Sequence, residues 1–170
     1  MANHQGLLER LGACREAADW YDGRDSEQAW AECERGDWML WVAGKLNVDR
    51  KVLVAAACEC AELALVHVPD GEDRPRQAIE TARAWVSGNA TLEQVRKAAS
   101  AAYAASAADA TRAAASAADA ARAAASAADA AAYASRAKSL RRSAEIVRAH
   151  ISWVVLHEAV EAVDAAERSE

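Results

Sequence analysis

Residues 103–112 read YAASAADATR, residues 113–122 read AAASAADAAR and residues 123–132 read AAASAADAAA. One ten-residue unit is repeated three times, with Ser106, Ser116 and Ser126 in register and Asp109, Asp119 and Asp129 in register. Alanine has the highest intrinsic helix propensity, so the tract is predicted to be helical with little help from packing. Ten residues fall about 80° short of three helical turns, so the Ser/Asp/Arg stripe winds around the helix and matches neither a heptad nor an eleven-residue coil. Asp109–Arg112 and Asp119–Arg122 are three apart and can pair weakly across the surface.

The repeats belong to a longer stretch without Gly or Pro, from Thr91 to Arg168. A single helix over it would be roughly 115 Å long. A compact chain of this size has a radius of gyration of about 15–16 Å. The stretch must therefore fold back, protrude or oligomerise. Tyr103 and Tyr133 lie equally far from residue 118, and a hairpin turning near Ala117–Asp119 would set them side by side. A break nearer Ser135–Ser143 is the rival. The expectation is an alanine-rich antiparallel helical arm over residues 98–137, within a single helical domain spanning 1–170. Small side chains give such an arm little burial, so association with a second copy is expected, most simply as a homodimer.

The rest of the 170 residues also reads as helix. The chain has 48 alanines, six Trp, no Phe, two Pro and seven Gly, which argues against a loop-rich or all-β fold. Leu7, Leu8, Leu11, Cys14, Ala18 and Tyr21 recur at helical spacing up to a stop at Gly23. Ser26 is a candidate N-cap for a short helix carrying Trp30 and Cys33. Asp37 is a candidate cap for a helix from Trp38 to Leu46, and Asp49 for one from Val52 to His67. The last of these is apolar nearly all round and is expected to be the most buried. Pro69-Asp70-Gly71 signals a turn. Pro75 fits the first turn of a helix running to Ser87-Gly88, and Thr91 with Gln94 forms a capping-box pattern. A final helix is expected through Ile146, His150, His157 and Glu161. The fold class is therefore all-α, with about six to eight helices.

The formal charge of −6 excludes a strongly basic nucleic-acid binder, and direct DNA binding is not expected. The first residues lack a signal peptide and no apolar run spans a bilayer, so a cytoplasmic protein without membrane contact is expected. In that compartment Cys14, Cys33, Cys58 and Cys60 read as buried free thiols, and their spacing does not suit zinc. His150, His157 and Glu161 could present one face to a metal, but polar helix-interface histidines explain them better. His67, before Pro69, can interact with helix-terminal carbonyls. Phosphate-loop, dinucleotide, nucleophile-elbow and zinc-protease patterns are missing, so neither an enzyme nor a cofactor is expected.

Two stretches are richer than a core requires. One is Arg35-Gly-Asp-Trp-Met-Leu-Trp41, with Trp38 and Trp41 neighbours on a helix face. The other is Gly71-Glu-Asp-Arg-Pro-Arg-Gln-Ala-Ile-Glu80, followed by Trp85. Arg74 and Arg76 lie at a helix N-terminus, where an anion gains from the helix dipole. Asp37, Trp38, Trp41, Arg74, Arg76, Glu80 and Trp85 are therefore the candidate binding residues. The structural alternative is that Asp37 caps, the Trp residues pack, and the arginines pair with Glu72 and Glu80.

The same pieces resemble an alanine-rich immunity protein family of bacterial toxin-immunity systems, also phage-encoded. They are Ala13-Cys14-Arg15-Glu16 with Trp20, Gly36-Asp37-Trp38-Met39-Leu40-Trp41, the Ala/Cys-rich run Ala57–Leu65, and Glu72-Asp73-Arg74-Pro75-Arg76 leading to Ala78-Ile79-Glu80 and Trp85. A long alanine tract with scattered Tyr follows them. The resemblance implies a small cytoplasmic protein that neutralises a toxin by binding it, in the host cell cytoplasm if phage-encoded. The Arg and Trp constellation also suits a small anionic nucleotide, so a sponge that sequesters a nucleotide signal in phage–host conflict is the second expectation.

Overall fold

A computed structural model describes residues 5–103 and 125–168. All regular structure among them is helical. The chain divides into two compact units, one formed by residues up to Ala57 and from Leu140 onward, the other by Cys58–Ser139.

The first unit opens with α1 (Gln5–Leu11) and α2 (Arg15–Tyr21), where the apolar periodicity predicts one helix. Gly12 breaks it. Its φ of 78° lets the Gly12 N–H reach Glu9 O at 3.0 Å and the Ala13 N–H reach Leu8 O at 2.9 Å, closing the last carbonyls of α1. α3 (Ser26–Glu32) is capped by Asp25, whose Oδ1 accepts from Glu27 N and Gln28 N at 3.0 and 3.2 Å. The cap thus lies one residue before the expected Ser26. The Ser26 hydroxyl instead meets the Tyr21 hydroxyl at 2.5 Å. α4 (Gly36–Lys45) ends at Asn47, which takes a left-handed φ of 56° as Val48 N–H bonds to Ala43 O. Asp49 caps α5 (Arg50–Glu62) as expected, accepting from Lys51 N and Val52 N at 2.9 and 3.1 Å. Such a cap contributes about 1 kcal/mol.

At the other end of the chain, α8 (Ala125–His150) is continuous, so no break falls at Ser135–Ser143. The turn expected near Ala117–Asp119 lies outside the described residues. A break occurs instead after Ile151, where Ser152 caps α9 (Trp153–Glu167) by accepting from Val155 N at 3.4 Å. His150 and His157 therefore belong to different helices, not to one face of one helix. His157 stacks on Trp153 with ring centroids 5.4 Å apart.

The core lies among α3, α4, the end of α8 and α9, with α3 packed on α9. Met39, Val147 and Ile151 are its largest fully buried side chains. Buried Trp30 donates from Nε1 to Ile151 O at 3.2 Å, so the indole N–H is satisfied by the backbone at the α8–α9 break. Half-buried Arg148 donates to Cys33 O at 2.7 Å, satisfying a carbonyl just past the end of α3. Gly36 makes the closest approach: a Cβ there would meet the Ser143 Cβ at 2.5 Å and the Ala144 N at 2.6 Å.

The second unit is built differently. Its α5 segment ends at Glu62, and a 3-10 turn, Leu65–His67, replaces the rest of the expected helix. Gly71 (φ 84°) turns the chain into α6 (Arg74–Val86), with Pro75 in the first turn and a Gly88 stop, as the sequence predicts. Residues 92–103 form α7, opened by the expected capping box: Thr91 N–H donates to Gln94 Oε1 at 2.7 Å and Gln94 N–H to Thr91 Oγ1 at 3.2 Å. Helix α5 is not the most buried. Ala56 and Cys58 are its buried residues, and Val52, Leu53 and Val54 remain half-buried. Its apolar surroundings reflect small side chains, not depth. Of the thiols, Cys33 and Cys58 are buried as expected, Cys60 is half-buried and Cys14 is exposed, against expectation.

Candidate ligand cavity

Five of the six tryptophans converge in the first unit. Trp20, Trp30, Trp38, Trp41 and Trp153 line a cavity of about 420 Å³. Only Trp30 among them is buried; the other four are half-buried. Each is brought by a different local signal. Trp38 and Trp41 project from the same face of α4, three residues apart. Trp20 comes from α2, re-aimed by the Gly12 break, and Trp153 opens α9 just after the Ser152 cap. Small residues such as Ala17 leave the room between them.

The indoles are also arranged electrostatically. Trp20 and Trp38 are tilted by 58° with centroids 6.2 Å apart. The Arg35 guanidinium lies 4.1 Å over Trp38, the Arg24 guanidinium 4.7 Å over Trp20 and the Lys45 ammonium 5.7 Å over Trp41. Each contact is within cation–π range. None of these three cations lines the cavity itself.

Among the described residues, Asp37 is the only charged side chain on the cavity wall. It does not cap α4, because that helix already begins at Gly36 with Arg35 before it. Instead Arg35 grips the carboxylate with Nε on Oδ1 at 2.9 Å and Nη2 on Oδ2 at 2.7 Å, and gives Nη1 to Glu16 at 3.1 Å. The hydrogen-bonded Arg35 guanidinium holds the Asp37 carboxyl below the usual aspartate range. A paired guanidinium–carboxylate corner is fixed in place and almost neutral. The Tyr21–Ser26 hydroxyl pair supplies the other polar element. Burial raises the pKa of the Cys33 thiol on the same wall, which makes it a poor nucleophile.

Asp37, Trp38 and Trp41 thus come together around the cavity. Arg74, Arg76, Glu80 and Trp85 lie on α6 in the second unit. There Glu72 holds Arg74 through its backbone N–H at 3.0 Å and its Nε at 2.7 Å, with Nη2 on the second carboxylate oxygen. The Glu72 half of the structural alternative is therefore realised for Arg74. Arg76 and Glu80 are exposed, and Trp85 is half-buried. Sequence reasoning missed Trp20, Trp30, Trp153 and Arg35. The sequence signals for them were Gly12 as a helix stop, Ser152 as a cap, and the Arg-x-Asp spacing of Arg35 and Asp37.

Residues 45–161 match the family model described as "Imm-5 like putative immunity protein". The chain belongs to this family. The matched span takes in α5, α6, α7 and α8, most of α9, and the cavity residues Leu46, Trp153, Leu156 and Val160. Trp20, Trp30, Trp38 and Trp41 precede it. No curated protein and no solved structure matches the chain. Among the described residues, no helix is long and apolar enough to cross a membrane, and no cluster of three His, Cys, Asp or Glu side chains is placed to hold a metal.

Proposed function

We propose that this chain is a non-enzymatic immunity-type protein that neutralises a toxin by stoichiometric binding. Family membership over residues 45–161 carries the proposal. The half-buried indoles around the cavity support it, since Trp and Arg dominate the energetics of protein interfaces. A net charge of −6 favours encounter with a basic toxin such as a nuclease. The test is co-expression with a panel of basic nuclease toxins, followed by light scattering on any purified pair. Protection of the cells together with a complex of fixed stoichiometry is expected. Protection at strongly substoichiometric levels, or no complex, would sink the proposal.

The cavity favours a second reading, sequestration of a nucleotide signal. Indoles stack on bases of any sequence, and Lys45, exposed beside Trp41, forms no ion pair among the described residues and is available to a phosphate. Thermal shift against cyclic nucleotides and ADP-ribose derivatives tests this. A ligand at 100 times its Kd adds about 2.7 kcal/mol of stability. A melting curve unmoved by every member of the panel would remove it.

A further inference from the structure

We infer that the cavity of the first unit binds a neutral, planar, π-rich heterocycle carrying N–H donors, of about nucleoside size. This rests on the second reading only in placing a small ligand in the cavity. It goes beyond it by naming which part of a ligand enters and which charge is refused.

Size is the first argument. A volume of about 420 Å³ falls at the low end of the ~300–1,000 Å³ range of small-molecule sites. It is too roomy to be filled by one interior side chain. Four half-buried indoles around an empty volume also leave apolar surface that a flat ligand would cover.

Charge is the second. An aromatic cage with a carboxylate would ordinarily suit an organic cation. Here the Asp37 carboxylate is already held at both oxygens by Arg35, and the Trp38, Trp20 and Trp41 rings each already face a cation. A cation on one face of an indole draws π-density towards itself. The opposite face then attracts a second cation less and an electron-rich neutral ring more. An anion gains nothing there either, because among the described residues no cation lines the wall, the Asp37 carboxylate is already matched by Arg35, and the rest is largely apolar.

Polarity is the third. The Asp37 carboxylate is taken up by Arg35 and by the backbone N–H groups at the start of α4, so the Tyr21–Ser26 pair, which can both accept and donate, is the polar element left to a ligand. A ring with N–H donors finds acceptors at a fixed position, whereas a hydrocarbon would leave them unused. A purine nucleoside meets all three conditions and serves as the probe.

Isothermal titration of the full chain compares adenosine, adenosine monophosphate, tetramethylammonium and inorganic phosphate. Adenosine is expected to bind at one site per chain. The monophosphate should bind within about threefold of it, and the two simple ions should give no heat of binding. Trp38→Ala with Trp41→Ala should weaken adenosine at least tenfold. Should that double variant unfold, Ala17→Leu fills the space while keeping every indole, and should abolish binding with the far-ultraviolet dichroism unchanged. Tetramethylammonium binding in place of adenosine, or no heat with adenosine, overturns the inference, as does adenosine binding that Ala17→Leu leaves intact. Nucleotide binding that survives Ala17→Leu would overturn the inference and keep the sponge reading. Adenosine binding without any tighter anionic nucleotide would do the reverse.

Discussion

The two units reach the same all-helical state by opposite routes. In the first, large side chains meet: Trp30, Met39, Val147, Ile151, Leu156 and Val160 are buried, and polar atoms such as Trp30 Nε1 and the Arg148 guanidinium close the backbone groups around them. In the second, Cys58 is the sole buried hydrophobic residue among those described, its thiol donating to Ile79 O at 3.8 Å. Order there comes from two local devices, the Thr91–Gln94 capping box and the Gly88 stop, and from the exposed Arg83–Glu62 pair at 2.5 and 2.9 Å that ties α6 to the end of α5. Burial scales with apolar area, whereas alanine propensity and caps act residue by residue. A chain rich in alanine can thus hold many helical residues while concentrating its packing, and its cavity, in one unit.

Truncating matched positions in the two units separates these routes most sharply. Ile151→Ala removes a fully buried side chain and should cost about 3–4 kcal/mol in urea unfolding, while Ile79→Ala, half-buried on α6, should cost about 1 kcal/mol. Equal costs would mean that the second unit is packed as tightly as the first. Gly36→Ala forces a methyl group against the Ser143 and Ala144 backbone and should cost about 2–3 kcal/mol, read as a lower Tm. An unchanged Tm would show that α4 and α8 can separate freely. In the second unit Thr91→Ala deletes one half of the capping box and should cost about 1 kcal/mol, with loss of helicity confined to α7 by hydrogen exchange.

What was legible in the sequence follows the same division. Asp49, Thr91 with Gln94, Pro75 and Gly88 act on the backbone within four residues, and each was found where the sequence put it. The breaks at Gly12 and Ile151 were hidden because apolar spacing continues across both. A glycine inside a periodic run, or a serine after an isoleucine, is a stop only when tertiary packing uses it. Overestimating the burial of α5 came from treating apolar composition as depth. The cavity was half legible. Trp38 and Trp41 share a local helix face, but Trp20 and Trp153 arrive from opposite ends of the sequence, and that meeting has no local signature.

Acid sharpens the comparison least but cleanly. Arg35 lowers the folded-state pKa of Asp37, so the pair contributes stability above the ordinary aspartate value of about 4, and that contribution is lost as pH falls through the lowered folded value. Asp37→Asn should therefore lower Tm modestly at neutral pH, and the gap from the parent should shrink as pH drops below about 4. A gap that widens on acidification would mean that the Arg35–Asp37 pair opposes folding.

The most direct measurement uses the tryptophans themselves. Labelling the indole nitrogens gives one N–H resonance for each of the six Trp, five of which border the cavity. Titrating adenosine should shift the Trp38 and Trp41 signals most and move those of Trp20 and Trp153. Trp30 should respond weakly because its N–H is held by Ile151 O, and Trp85, on α6, should stay still. Shifts confined to Trp85, or cavity indoles that do not respond at saturating adenosine, would contradict the assignment of recognition to the first unit.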